Sequence, residues 1–384
     1  MIIFIKGPLN VLNYFIDCMA AKEETSIILD MTQPDQMIKM INKWDSCINS
    51  STIVITFNNI GIFLTTGQGN YWEQKQVMLY NYLVDHPINF MDEIKAAPKN
   101  TRFLLVDAGH CEFVKQNIEK MADRAYFLPH GGSDLGLYSN SERDIDVLYV
   151  GSCWTDSYAY ASIDFLSGKE AAFYSFCYQM YQKKSYLQMD HIVDAYISQS
   201  GQSFTVSQRL ILISLISMTV EHQFVDQLRR SFFCAAAKAG IQMLIHGANW
   251  WGGAEASRMD CITLGPVIDP ELCIRKMGRA EIVVNMQPAF TFGSHERVFN
   301  SILNGAVCVS NRSKYLESIF EDQKDILFID FDHLDQTVDK MKEILENPTL
   351  REQIRKNAYR IVQNKDTWKS RFYQIVSLAD CAGV

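Results

Sequence analysis

In the run FTFGSHERVFNSILNGAVCVS, residues 290–310, a histidine and an arginine stand at the start of an expected helix. Val298, Phe299, Ile302 and Leu303 keep helical apolar spacing, Ser294 holds the place of an N-cap, and Asn304-Gly305 forms a left-handed stop before the apolar strand 306–309. A helix N-terminus is already partly positive, so His295 and Arg297 call for a negative partner. Free backbone N–H groups at such a start bind phosphate, and Gly293 lets the backbone approach it closely. Arg297 could then grip a diphosphate bidentately while His295 donates a further hydrogen bond. The competing partner is an acidic side chain on a neighbouring element. A second set of proton-transfer groups lies just past three strands: Asp85 with His86, Asp107 with His110, and His130. Each taken alone is more often a turn cap or a loop hydrogen-bonder than a catalyst. Asp107-x-x-His110 has a spacing that some metal sites use, but no CxxC or HExxH accompanies it.

The elements that must position these groups alternate. Apolar strands are expected at 2–5, 26–30, 51–57, 77–84, 102–107 and 125–129, with helices between them, including one to about residue 21 and one around 37–44. A Gly-, Ser-, Asn- and Asp-rich stretch at 131–144 reads as a linker. A second series follows, with strands at 145–152, 241–247, 261–265, 281–286, 306–310 and 326–330. Between its first two strands lies a long helical insertion, about 154–238. Tyr174, Tyr178 and Tyr181 there fall at i, i+4 and i+7, a spacing read as core. From residue 336 onward the chain reads as helices, with Pro348 starting a new one. Such βαβ alternation predicts parallel sheets covered on both faces. The fold class is α/β: two Rossmann-like doubly wound domains facing a cleft, with ligands at the strand C-termini.

Composition narrows the function classes. A chain of 384 residues with 48% hydrophobic and 21% charged residues is long enough for two cores. A net charge of −8 argues against broad nucleic-acid or anionic-membrane binding. Ten cysteines without a CxxC read as reduced core residues of a cytoplasmic protein. MIIFIKGPLNV reads as a first strand and turn, not a signal peptide, and the longest apolar run, 210–220, is too short to span a bilayer.

The ordered series LGPVIDPELCIRKMGRAEIVVNMQPAFTFGSHERVFNSILNGAVCVSN (264–311) resembles the donor-binding half of GT-B-fold glycosyltransferases of the group-1 type. Its marks are Gly265-Pro266-Val267, Arg279-Ala280-Glu281 with the following strand, and Gly305 to Ser310. The spacing Arg297-Val298-Phe299 and the tail NPTLREQIRKNAYRIV…TWKSRF (347–372) look more narrowly like the CgeB-like, spore-maturation-type branch. The match covers most of 77–150 and 220–375.

This resemblance implies a metal-independent glycosyltransferase of hexosyltransferase type. It would move a sugar from a nucleotide-diphosphate donor, a UDP-sugar foremost, to a hydroxyl of a protein, glycan or small molecule. The nucleotide sugar would be a co-substrate, with no resident cofactor. It also implies the roles. Gly265 and Val267 would lie against the base, bordered by Gly247 and Trp250. Gly293, Ser294, His295 and Arg297 would hold the diphosphate, approached also by Gly151 and Ser152. Asp85 or His86 would be the base, with Asp107 and His110 next and His130 elsewhere in the cleft. The broader family places a ribose-gripping glutamate five residues before the glycine; here that position is Asn300, and its partner position is Phe292. An amide still donates and accepts hydrogen bonds, so Asn300 can contact ribose without charge. Two alternatives follow from the departure: a non-catalytic binding module and a sugar-nucleotide epimerase. The expected domains are an acceptor-side domain at 1–140, a donor domain at 141–360, and a C-terminal helix at 361–384 packing back toward the first.

Overall fold

The computed structural model describes residues 1–20, 26–139, 142–154, 163–166, 168–183, 187–251 and 260–381. Residues 140 and 141 of the expected linker, and parts of the expected insertion, lie outside this set. The chain divides into two compact units. One holds Met1–Ser133, Asp269–Glu271 and Val362–Val384; the other holds Asp134–Ile268 and Leu272–Ile361.

The first unit is built on a six-stranded parallel sheet. Its strands are β1 (Ile2–Lys6), β2 (Ser26–Asp30), β3 (Ile53–Phe57), β6 (Met78–Leu83), β7 (Thr101–Leu105) and β8 (Ala125–Phe127), in the order β2-β1-β3-β6-β7-β8. Between β3 and β6, a stretch without clear periodicity forms a small hairpin of β4 (Thr65–Thr66) and β5 (Gly69–Asn70). Strands this short carry no readable alternation, so only the structure reveals them. The helix Trp368–Cys381 belongs to this unit. Trp368 is buried, stacks on Phe15 at 4.4 Å, and meets Tyr82 edge-on at 5.9 Å. The chain entering that helix pairs with Gly132 through Gly132 N to Asp366 O (2.8 Å) and Trp368 N to Gly132 O (3.0 Å). Gly131 must be glycine, because a Cβ there would lie 2.5 Å from the Trp368 nitrogen.

The second unit has its own six-stranded parallel sheet: β9 (Ile145–Val150), β10 (Met243–His246), β11 (Ile262–Gly265), β12 (Ala280–Asn285), β13 (Val307–Ser310) and β14 (Leu327–Phe328). The order β11-β10-β9-β12-β13-β14 is that of a Rossmann sheet, with its topological switch between β9 and β12. Alternate residues feed opposite faces. Val147, Tyr149, Ile282 and Val284 pack with Phe232, Phe233 and Met341, while Leu148 and Val283 pack with Met277 and Ala306. Burial on both faces is why these strands read as continuous apolar runs.

Four helices fill the described part of the insertion: Glu170–Lys183, Met189–Ser200, Val206–Met218 and Val220–Lys238. The last is not an addition to the fold, as the expected bounds 154–238 imply. Phe232, Phe233 and Ala236 on it are fully buried against the sheet, so it is the crossover helix from β9 to β10. The tyrosine stripe packs inward as its spacing predicts. Tyr174 is buried beside Phe173, and Tyr178 and Tyr181 lie 6.2 and 5.2 Å from Phe224. No helix among the described residues is long and apolar enough to cross a membrane.

Candidate functional site

In the second unit Gly151, Ser152 and Arg297 lie at the switch between β9 and β12, while Gly247 and Trp250 follow β10 and Gly265 and Val267 lie at the end of β11. Gly151 and Ser152, leaving β9, knot with the turn leaving β10: Gly151 N donates to His246 O (2.8 Å), Cys153 N to Ala248 O (3.0 Å), and Ala248 N to the Ser152 hydroxyl (3.0 Å). Gly247 sits at φ 153°, and a Cβ on it would lie 2.2 Å from the Gly151 carbonyl oxygen. Only glycine allows the two strand ends to close this tightly. Trp250 supports the knot from inside. It is buried on Tyr149 and Phe233, and its indole N–H donates to Gly151 O at 2.9 Å, so it braces the turn. Gly265 is held one strand away, where the His246 ring fills the space a side chain would need and His246 Nδ1 donates to Pro266 O at 2.9 Å. Val267 just beyond is 68% exposed.

The quoted helix forms over Glu296–Leu303 and stops at Gly305, whose φ is 83°. Its N-cap is His295, not Ser294. His295 takes the extended conformation (φ −96°, ψ 147°), and its Nδ1 accepts from the Arg297 amide at 3.3 Å. Ser294 is buried one residue outside the cap. The same Nδ1 lies 2.9 Å from the Glu296 carboxylate. That contact needs a proton on Nδ1, whereas the cap contact needs a lone pair, so the ring serves one or the other according to where its proton sits. Burial lowers the His295 pKa, opposed by Glu296.

The negative partner of His295 is therefore its own neighbour, but Arg297 has none among the described residues. Arg297 is 9% exposed; its guanidinium donates from Nη1 to the Asn285 side-chain oxygen (2.9 Å) and sits 5.2 Å from the Tyr149 ring centre. Among the described residues no carboxylate pairs with it. A second arginine approaches the same ring at 5.9 Å: Arg229, on the crossover helix. It donates to Ser152 O (2.9 Å), Met286 O (3.2 Å) and the Gln287 side chain (3.2 Å), lashing the ends of β9 and β12 together. Its carboxylate contact, Asp226, is 3.5 Å away, and burial raises the Asp226 pKa. Asn300 is buried one turn along the helix, and Phe292 is half-buried in the preceding loop.

Sequence reasoning missed Arg229, Tyr149 and Asn285. Asn285 leaves a trace, as a polar residue closing an otherwise apolar strand. Arg229 leaves none, because QLRRSFF is an ordinary helix face until the sheet is placed against it.

In the first unit the strand-end candidates separate into different jobs. Asp107 is buried and caps the helix Ala108–Asn117, accepting from Gly109 N at 2.7 Å. His86 and His110 meet edge-on with ring centres 4.4 Å apart. Burial, and then His110, push the His86 pKa well below the usual range; burial and His130 take His110 down to about 3. His86 Nδ1 accepts from Ile88 N at 3.1 Å, so the ring proton is on Nε2. That makes His86 a hydrogen-bond donor, with no lone pair left for a substrate proton. His130 is a core residue: its ring lies 6.1 Å from Trp368 and its carbonyl accepts from Arg371. Asp85 remains exposed at the end of β6. Its Oδ2 accepts from Asn58 Nδ2 at 2.8 Å, and Asn58 (φ 45°) also accepts from Val84 N at 3.0 Å.

Residues 229–377 match the family model described as "Glycosyl transferase-like". No curated protein sequence matches the chain. Among solved structures, Anabaena HepE in complex with UDP-glucose is 10% identical, with a TM-score of 0.55 and 99% of each chain covered. An alpha-glucosyltransferase in complex with UDP and a 13-mer DNA is 10% identical, with a TM-score of 0.53 and 99% of each chain covered. TarM, 12% identical with a TM-score of 0.47, is spanned over 57% of its length by 88% of this chain. The fold is GT-B, with two Rossmann-like domains.

Proposed function

We propose that the protein is a nucleotide-sugar-dependent glycosyltransferase that moves a hexosyl group from a UDP-sugar to an acceptor hydroxyl. One observation carries the reading. Arg297 is a buried cation with no carboxylate partner among the described residues, placed at a helix start on the switch point of a Rossmann sheet. Buried charges are normally paired, so the site calls for an anion. The matching family model and the UDP and UDP-glucose of the HepE and alpha-glucosyltransferase structures support a nucleoside diphosphate as that anion.

In this reading the second unit binds the donor. Arg297 and the positive end of the Glu296–Leu303 helix dipole take up the charge that develops on the leaving diphosphate, so no metal ion is required. Gly151 and Gly247 keep side chains away from the phosphates, and the Val267 side chain lies against the base. Asn300 supplies an uncharged contact for ribose. The first unit supplies the base: the Asp85 carboxylate, oriented by Asn58, takes the acceptor proton as the new C–O bond forms, and His86 donates a hydrogen bond to the acceptor.

Titration calorimetry with UDP tests the donor site, and release of UDP from UDP-glucose with a candidate acceptor tests transfer. Absence of nucleotide binding rejects the transferase and favours the second reading, a non-catalytic module, which the Asn300 and Phe292 positions support.

A further inference from the structure

Arg297 is held by a row of uncharged side chains that crosses the C-terminal ends of β12 and β13. Asn285 and Ser310 close those two strands as register partners, and both are buried. The Ser310 hydroxyl donates its one proton to Asn311 O (2.9 Å), so toward Asn285 it can only accept, and Asn285 Nδ2 donates to it at 2.9 Å. That bond fixes which end of the amide faces the helix. Asn285 Oδ1 is turned to Arg297 and accepts from its Nη1 at 2.9 Å. Asn311 holds the row from the next position: its N–H donates to Asn285 O (3.2 Å), and its side-chain oxygen accepts from Gln287 N (2.7 Å).

The acceptor that holds the guanidinium carries no charge, and this matters because aspartate has nearly the shape of asparagine. A carboxylate at position 285 would take the same bond from Nη1, and its second oxygen could accept from Ser310 once that hydroxyl turned. It would also form a buried ion pair and cancel the positive charge that a diphosphate needs. The nearby carboxylates are engaged elsewhere: Glu296 contacts His295 at 2.9 Å, and Asp226 lies 3.5 Å from Arg229. Among the described residues Nη1 alone of the Arg297 side-chain nitrogens meets a hydrogen-bond acceptor. We infer that Asn285 and Ser310 are positioning residues of the donor site: Ser310 orients the Asn285 amide, and the amide aims Arg297 without neutralising it. The inference rests on the reading of Arg297 as the diphosphate ligand and adds how the chain keeps that ligand both fixed and charged.

The test is calorimetry at pH 7 with UDP and with inorganic pyrophosphate, beside melting temperatures. It is run on the full chain and on Asn285→Asp, Asn285→Leu, Ser310→Ala, Arg297→Met and the double variant Asn285→Leu with Arg297→Met. Each variant is read on whichever of the two anions the parent protein binds. Asn285→Asp gives Arg297 a carboxylate, so anion affinity should fall about tenfold or more while the melting temperature holds or rises. A packing role alone does not produce that divergence. Ser310→Ala frees the amide to turn and should weaken binding about threefold. Asn285→Leu keeps the charge but not the aim; it should weaken binding about tenfold alone and add nothing once Arg297 is methionine, because its effect runs through Arg297. Unchanged affinity in Asn285→Asp, with affinity lost in Arg297→Met, overturns this inference and leaves the donor reading standing. Affinity lost in Asn285→Asp but kept in Arg297→Met overturns it as well, since Asn285 then acts without Arg297. If Asn285→Asp does not fold, the leucine and methionine cycle decides: additive losses overturn the inference and non-additive losses support it. A parent protein that binds neither anion ends the donor reading and this inference together.

Discussion

Replacing Arg297 by methionine separates a phosphate ligand from a packing residue, because the two roles move two measurements differently. Methionine keeps most of the volume beside Tyr149 and removes the charge. For binding, the loss is a charge-assisted hydrogen-bonding group to the diphosphate, about 1.5–3 kcal/mol, or roughly 10- to 150-fold in UDP affinity. For folding, two effects oppose. The guanidinium donates to Asn285 and faces the Tyr149 ring, and losing those contacts costs about 1–3 kcal/mol. Against this, a buried charge without a carboxylate partner is itself unfavourable, and replacing buried ions by apolar groups of like volume is often neutral or stabilising by about 1–4 kcal/mol. The expected outcome is a large fall in UDP affinity by calorimetry with a melting temperature within a few degrees of the parent. Unchanged UDP affinity with a clear fall in melting temperature would refute the reasoning and make Arg297 a strut between β9, β12 and its helix.

Asp85→Asn should cut transfer by about 10²–10⁴-fold with UDP affinity unchanged, as for loss of a general base, and Asn58→Ala should lower turnover by less; equal UDP release from Asp85→Asn and parent would remove Asp85 from the mechanism. Chelation with EDTA should leave transfer unchanged if, as proposed, Arg297 and the helix dipole take the charge a divalent ion takes elsewhere; lost turnover restored by magnesium would contradict this. The histidine pair sets an acid limit. The folded pKa of His110, about 3, lies below the unfolded value near 6.5, so its contribution is complete above about pH 6.5 and declines as pH falls toward 3, by up to about 1.4 kcal/mol per pH unit. His110→Gln should flatten melting temperature against pH in that window. Gly247→Ala sets a methyl 2.2 Å from the Gly151 carbonyl and should lower both melting temperature and UDP affinity, by about 1–3 kcal/mol in stability for the strained backbone alone.

Much of the architecture is legible in the sequence because both sheets are parallel and buried on two faces. Runs such as SIILD, IDVLYVGS and AVCVS sit within a few residues of β2, β9 and β13. The Asn304-Gly305 stop is equally local, since only the αL conformation of Gly305 ends the helix there. The cap was misread for a local reason too. Ser294 and His295 can both accept an amide, and the side chain that does so depends on how the loop 286–295 enters, which no spacing encodes. The Val220–Lys238 helix reads as part of an insertion until Phe232 and Phe233 are seen against the sheet.

Apolar periodicity, glycine placement and strand-end punctuation are properties of neighbouring residues, so the sequence alone determined two doubly wound sheets, the position of the helix at 296–303, and that a cation stands at its start. It did not determine which cation lacks a counter-charge. That follows from the approach of residues far apart in the chain: Arg229, Arg297 and Asn285 around Tyr149. Burial and pairing set whether a charge is stable, and both are decided by the folded neighbours of a side chain, not by its place in the sequence.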